Sequence, residues 1–164
     1  MHLRLFWCFI MIVHPFPPVF DAHSEILILG SFPSVKSRES QFYYGHPQNR
    51  FWRVLAAIYG VSVPQSIEEK SSLLLNHHIA LWDVLASCEI TGSADSSIRN
   101  AVPNDLSVIT SQCSIRQIYT NGRTSDKYYT RFSGETTGRT AICLPSTSPA
   151  NAAWTLERLI EAWN

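Results

Sequence analysis

Charge is scarce in this chain, and what there is cancels. Lysine plus arginine number 13 and aspartate plus glutamate 13, a formal net charge of zero, which excludes a protein that coats nucleic acid by bulk electrostatics. Binding through a few local cations, hydroxyls and backbone N–H groups stays open. The four cysteines, Cys8, Cys88, Cys113 and Cys143, form no C-x-x-C pair. No zinc ribbon or local cluster motif is therefore present, and free thiols are expected. The six histidines make no H-x-x-x-H pattern, so no metal and no cofactor is implied. A G-x-S-x-G elbow and a P-loop are both missing, which counts against an ester or free-nucleotide hydrolase on an α/β scaffold. The apolar stretch 1–13, MHLRLFWCFIMIV, is too short for a membrane span, and no small-residue cleavage site precedes His14-Pro-Phe-Pro-Pro18. No membrane association is expected.

Internal repeats and linkers are also lacking, so residues 14–164 are expected to fold as a single domain, with 1–13 as an N-terminal extension. The segment HPFPPVF reads as an extended arm packed on that domain. Strand-like and helix-like patterns then alternate. Strands are expected at Glu25–Leu29, Ile79–Trp82, Ile115–Tyr119 and Thr140–Leu144. Helices are expected from Phe51 to Tyr59, from a Ser66-Ile-Glu-Glu69 capping box to about His78, from Pro103-Asn-Asp105 and from Ala152 to Trp163. Thr91 to Arg99 reads as loop. The pattern predicts an α/β fold with three layers, α/β/α, around a central, mostly parallel four-stranded sheet. In such a sheet the carboxyl ends of the strands share one edge. The four most polar segments, GSFPS, Asp83 onward, Thr120-Asn-Gly122 and Pro145-Ser-Thr-Ser-Pro149, all follow strands, so they are expected to meet in one cleft.

The densest chemistry runs from Glu25 to Leu55. Gly30 and Pro33 make GSFPS a rigid loop whose backbone a ligand can approach closely, and Ser31 and Ser34 add hydroxyl donors. The plain alternative is a tight turn with no ligand. Gln41-Phe-Tyr-Tyr-Gly-His-Pro-Gln-Asn-Arg50 then gathers aromatics, an imidazole, carboxamides and a guanidinium directly before a helix. Aromatic faces can stack on a nucleobase, and Asn or Gln can read a base edge or hold a water. The alternative is lid packing by Phe42, Tyr43 and Tyr44, with Asn49 only capping the helix. Lys36, Arg38, Arg50 and Arg53 cluster near this loop as candidate phosphate contacts or as ordinary surface charge.

GSFPS, YYGHPQNRFW, LWDVL, GSADSSIR and LPSTSPAN together resemble the uracil-DNA glycosylase superfamily, and most closely its deoxyinosine (hypoxanthine) branch, family 6. The resemblance begins just after Met11, which favours a start at Met11 over a poor secretory signal. It implies the superfamily's fold and a monofunctional enzyme of base excision repair that flips a deaminated base out of DNA and hydrolyses its glycosidic bond. It also implies a DNA partner containing deaminated bases, a monomer and a cytoplasmic setting. In the superfamily the loop after the first strand commonly carries an Asp or Asn that orients the water, but apolar Phe32 stands there in this chain. In the deoxyinosine branch a catalytic Asn lies in the downstream HPQN segment, which maps onto Asn49, expected to hold the water or the leaving base. Phe32, Tyr44 and His46 are then expected to bind the base, and Gly30, Ser31, Pro33 and Ser34 to shape a backbone cradle. The HPSP-type loop that superfamily members push into the duplex corresponds to Leu144-Pro-Ser-Thr-Ser-Pro-Ala-Asn151, where Leu144 replaces the His. Ser146, Ser148 and Pro149 are expected at DNA there, with leaving-base stabilisation falling to backbone groups or His46. Phe32 and Leu144 also suit a rival reading, a binding module of the same fold without catalysis.

Overall fold

The computed structural model describes residues 10–164, so most of the apolar extension read from the sequence lies outside the described residues. The chain forms β1 (Met11–Val13), β2 (Ile26–Gly30), α1 (Val35–Ser40), α2 (Phe51–Tyr59), α3 (Ile67–Asn76), β3 (Ile79–Asp83) and β4 (Leu85–Glu89). It continues through a short 3-10 turn (Asp95–Ser97), β5 (Arg99–Pro103), α4 (Ser107–Thr110), β6 (Gln117–Asn121), α5 (Arg123–Phe132), α6 (Gly134–Thr137), β7 (Ala141–Leu144) and α7 (Leu156–Trp163). A four-stranded sheet in the order β3-β2-β6-β7 is parallel throughout. Its strands begin and end within two residues of the positions expected from the sequence.

The central strand explains why. Leu27, Ile28 and Leu29 in β2 are almost wholly buried, as a continuous apolar run must be when helices cover both faces of a parallel sheet. Helix α2 buries Phe51, Trp52, Val54, Leu55 and Ala56, and its Phe51 ring meets Trp163 of α7 edge-on at 6.0 Å. Truncating a buried ring of this kind costs about 3–5 kcal/mol. The expected capping box is half formed. Ser66 accepts from Glu69 N–H, while the Glu69 carboxylate turns to Gln65 N–H instead of Ser66.

A second, three-stranded antiparallel sheet, β1-β4-β5, is an addition to the expected architecture. Strand β4 follows β3 after Val84 alone, so the segment from Asp83 onward, expected as a polar stretch after a strand, is itself a strand, and β5, RNAVP, carries the Asn and Pro of a loop. The arm packs as expected: Val19 forms an antiparallel bridge with Leu81, Phe16 is buried, and Pro17 O accepts from the Tyr43 hydroxyl. Helix α7 starts later than expected, at Leu156, because residues before its Thr155 cap belong to a loop held from elsewhere, described below.

Candidate active site

All four strand-end segments reach one cavity of about 140 Å³ at the carboxyl edge of the parallel sheet. Gly30 to Ser34 follow β2, Asp83 closes β3, Asn121 closes β6, and Ser146 to Pro149 follow β7. Tyr44, His46 and Asn49 descend into it from the segment before α2. Every residue singled out from the sequence as catalytic, base-binding or cradle-forming therefore lines a single space. Tyr43, Ser93, Asp95 and Thr147, not singled out, line it too.

Gly30 is required by close approach. A Cβ there would lie 2.3 Å from Asp83 Oδ1 and 3.0 Å from the Tyr44 hydroxyl, well inside van der Waals contact. Asp83 is buried, and its Oδ2 accepts from Nε2 of His14, in the arm, at 2.7 Å. Tyr44 is held at φ 53°, an uncommon conformation for an aromatic residue. Its ring stacks on Phe51 at 4.1 Å, so one face is already covered, while its hydroxyl is buried without a partner among the described residues. Burial first, and the charge of Asp83 second, raise the pKa of both Tyr43 and Tyr44. Both phenols therefore stay protonated donors. Phe32 is itself mostly buried, with the His14 ring edge-on at 6.1 Å and the Arg38 guanidinium 5.9 Å over its ring.

Asn49 sits at the end of a hydrogen-bond chain with only one consistent direction. Thr147 N–H donates to Asn121 Oδ1 at 3.0 Å, which turns Asn121 Nδ2 toward Thr147 Oγ1, also at 3.0 Å. The Thr147 hydroxyl then has its proton left for Asn49 Oδ1 at 2.9 Å. Asn49 Oδ1 accepts a second bond from Phe51 N–H at the head of α2. A backbone N–H can only donate, so both carboxamides are fixed in orientation. Asn49 does engage the helix N-terminus, as the plain reading held, but its Nδ2 has no protein partner among the described contacts and remains a free donor.

His46 is fixed in the same manner. Its Nδ1 accepts from Gln48 N–H at 3.1 Å, which leaves the proton of the neutral ring on Nε2, a second donor. The serines divide. Ser31 donates to Asp95, and Ser34 caps α1 and donates to Ser37, so both hydroxyls are engaged within the protein. Ser146 and Ser148 accept from Ser148 N–H and Ala150 N–H, which leaves their own hydrogens to donate outward. Asp95 lies at the rim, where desolvation and then the field of Asp83 raise its pKa against the opposing bonds from Ser31 and Thr124.

Arg50, read from the sequence as a candidate phosphate contact or ordinary surface charge, instead holds the 144–151 loop. Its guanidinium donates to the carbonyls of Thr147, Ser148, Asn151 and Trp154. Arg38 is similarly engaged by Pro33 O and Gly92 O.

Residues 17–164 match the Uracil DNA glycosylase superfamily. The chain belongs to that superfamily. A hypoxanthine DNA glycosylase from Methanosarcina acetivorans is 39% identical over 150 residues, 90% of this chain and 94% of the relative. One of the same name from Methanosarcina barkeri is 39% identical over 116 residues, 69% and 73% of the two chains. The solution NMR structure of a protein from Methanosarcina acetivorans described as a candidate uracil DNA glycosylase superposes with a TM-score of 0.78. It is 36% identical and covers 93% of this chain and 94% of that one. The α/β architecture is thus the uracil-DNA glycosylase fold, and the cavity at its sheet edge is where open α/β sheets place their ligands.

Proposed function

We propose that this chain is a DNA glycosylase of base excision repair that turns a deaminated base, hypoxanthine by preference and uracil second, out of DNA and hydrolyses its N-glycosidic bond with water. Two relatives named hypoxanthine DNA glycosylase support the choice of base. The observation that carries the chemistry is the Asn49 carboxamide, locked so that its NH2 group alone is free in the cavity.

Of the two roles open to Asn49, holding the water or the leaving base, we read it as facing the departing base, because a free NH2 group is a donor. As the bond between the base and C1′ breaks, the electron pair leaves with the base and the sugar becomes an oxocarbenium-like cation. Asn49 Nδ2 and His46 Nε2 are donors suited to the charge that develops on the base. Water adds to C1′, and the proton it gives up balances the one taken up by the departed base anion. An Asn cannot remove that proton, but a cationic sugar needs no strong base to draw in water. Ser146 and Ser148 hold phosphate oxygens with their outward hydroxyls, and Pro149 stiffens the loop at the vacated stack. Tyr44, stacked on Phe51, and Phe32 line the wall against which the base rests. We read the enzyme as a monomer acting in the cytoplasm on the DNA it repairs; no helix among the described residues is long and apolar enough to cross a membrane.

A panel of duplexes carrying hypoxanthine, uracil or no lesion, incubated with the protein and then cleaved with alkali, tests the reading. Abasic sites are expected at hypoxanthine, with fewer at uracil. Retained binding without abasic sites would establish the inactive module instead.

A further inference from the structure

Two side-chain polar atoms are buried without partners among the described residues: the Tyr44 hydroxyl, in the cavity wall, and His14 Nδ1. Both belong to groups gathered around Asp83. His14 lies N-terminal to the stretch matched to the superfamily. Its side chain is 5% exposed, enclosed edge-on by Phe16 at 4.6 Å and Phe32 at 6.1 Å, with Tyr43 at 6.0 Å. Its Nε2 occupies Asp83 Oδ2. The other carboxylate oxygen, Oδ1, has no hydrogen bond among the described residues and, with the Tyr44 hydroxyl, lies against the point that a Cβ at Gly30 would fill. An acceptor and a donor thus stand side by side in a cavity read above as a base pocket.

Deamination reverses one edge of a base. Adenine presents an amino donor at position 6 and a bare acceptor at N1, whereas hypoxanthine presents a carbonyl acceptor at position 6 and an N1–H donor, a lactam. Uracil carries the same lactam. A fixed carboxylate oxygen facing position 1 attracts the lactam N–H and repels the lone pair of adenine. Resting on the glycosylase reading, we propose that His14 is a positioning residue for base selection: it holds Asp83 Oδ2 so that Oδ1 faces the cavity and accepts the lactam N–H of a deaminated base. The Tyr44 hydroxyl is the adjacent donor to the lactam carbonyl.

The experiment compares excision of hypoxanthine and 1-methylhypoxanthine, in which a methyl group replaces the N–H, from otherwise identical duplexes. The wild-type protein is expected to favour hypoxanthine by at least about tenfold. Asp83→Ala should bring the two rates within about threefold. His14→Phe, which fills the same space without an N–H, should move the ratio the same way because it frees the carboxylate. His14→Gln, whose amide can still donate to Oδ2, should keep the discrimination. If Asp83→Ala does not fold by circular dichroism, Asp83→Asn serves. Its single acceptor goes to His14 and its NH2 group then meets the lactam N–H, so hypoxanthine excision should fall selectively. Folded Asp83 variants and His14→Phe that keep the wild-type ratio would overturn the proposal, as would equal ratios in His14→Phe and His14→Gln. A wild-type protein that excises no deaminated base would instead overturn the glycosylase reading beneath it.

Discussion

Thr147 shows how much of this site rests on single hydrogen atoms. It is fully buried, and its hydroxyl joins Asn121 to Asn49 in a chain with one allowed direction. Replacing it with Val removes that hydroxyl at nearly constant volume and leaves Asn49 held only by Phe51 N–H. Thr147→Val should lower the single-turnover rate by about tenfold with little change in DNA affinity, and Thr147→Ser should restore most of the loss. At this scale the sequence was readable for residue type but not for partnership. Asn49 stood out because aromatics, imidazole and guanidinium crowd around it within ten residues of chain. Thr147, Asn121 and His14 did not, since each gains its role from a residue far away in sequence: Thr147 meets Asn49 across 98 positions, and His14 meets Asp83 across 69. A Thr among serines and prolines carries no local mark of being the buried member of a network. Ser31 and Ser34 show the converse. They looked like free donors, but the first is engaged by Asp95 and the second by the helix it caps.

Among the elements, the loop from Leu144 to Asn151 depends most on one side chain outside it. Arg50 gathers four of its carbonyl groups, or those just beyond, from the head of α2. The planar fork of a guanidinium suits this divergent set, and an ammonium cannot reproduce it. Arg50→Ala should destabilise the fold by about 2 kcal/mol and make the loop an early site of limited proteolysis, with Arg50→Lys intermediate. Urea unfolding and timed protease digestion measure the two effects. The parallel strands β2 and β3 were legible because each is a short apolar run closed by polar turn residues, the pattern that helices on both faces demand, whereas β6 buries only alternate residues. The antiparallel sheet was not legible. Polar Asp83 closes the expected strand, and β4 resumes after Val84 alone, with no turn residues to announce it, while β5 is exposed along most of its length, so no burial pattern marks it. Arg50 itself was misread for a related reason, since a cation beside a polar loop looks the same whether it faces phosphate or carbonyl.

In the whole molecule, a neutral protein has built a polar cleft from backbone, hydroxyl and carboxamide groups instead of a basic surface. Formal charge is zero, and the four cations near the opening loop all have partners within the protein: Arg38, Arg50 and Arg53 donate to backbone carbonyls and Lys36 pairs with Glu39. Recognition of DNA must then come from the shape of the cleft and from donors fixed within it. The sheet edge was predictable as the meeting place because parallel topology alone brings the four polar segments together. The cavity's division of labour was not, because it depends on which way each amide turns. The central claim is that the fixed NH2 group of Asn49 assists the departing base. Single-turnover excision of hypoxanthine from a duplex by the wild-type protein and by Asn49→Ala, with both shown folded by thermal melting, tests it most directly. A fall of about tenfold or more in the variant at saturating protein is predicted, and a folded Asn49→Ala protein that excises hypoxanthine at the wild-type rate would contradict it.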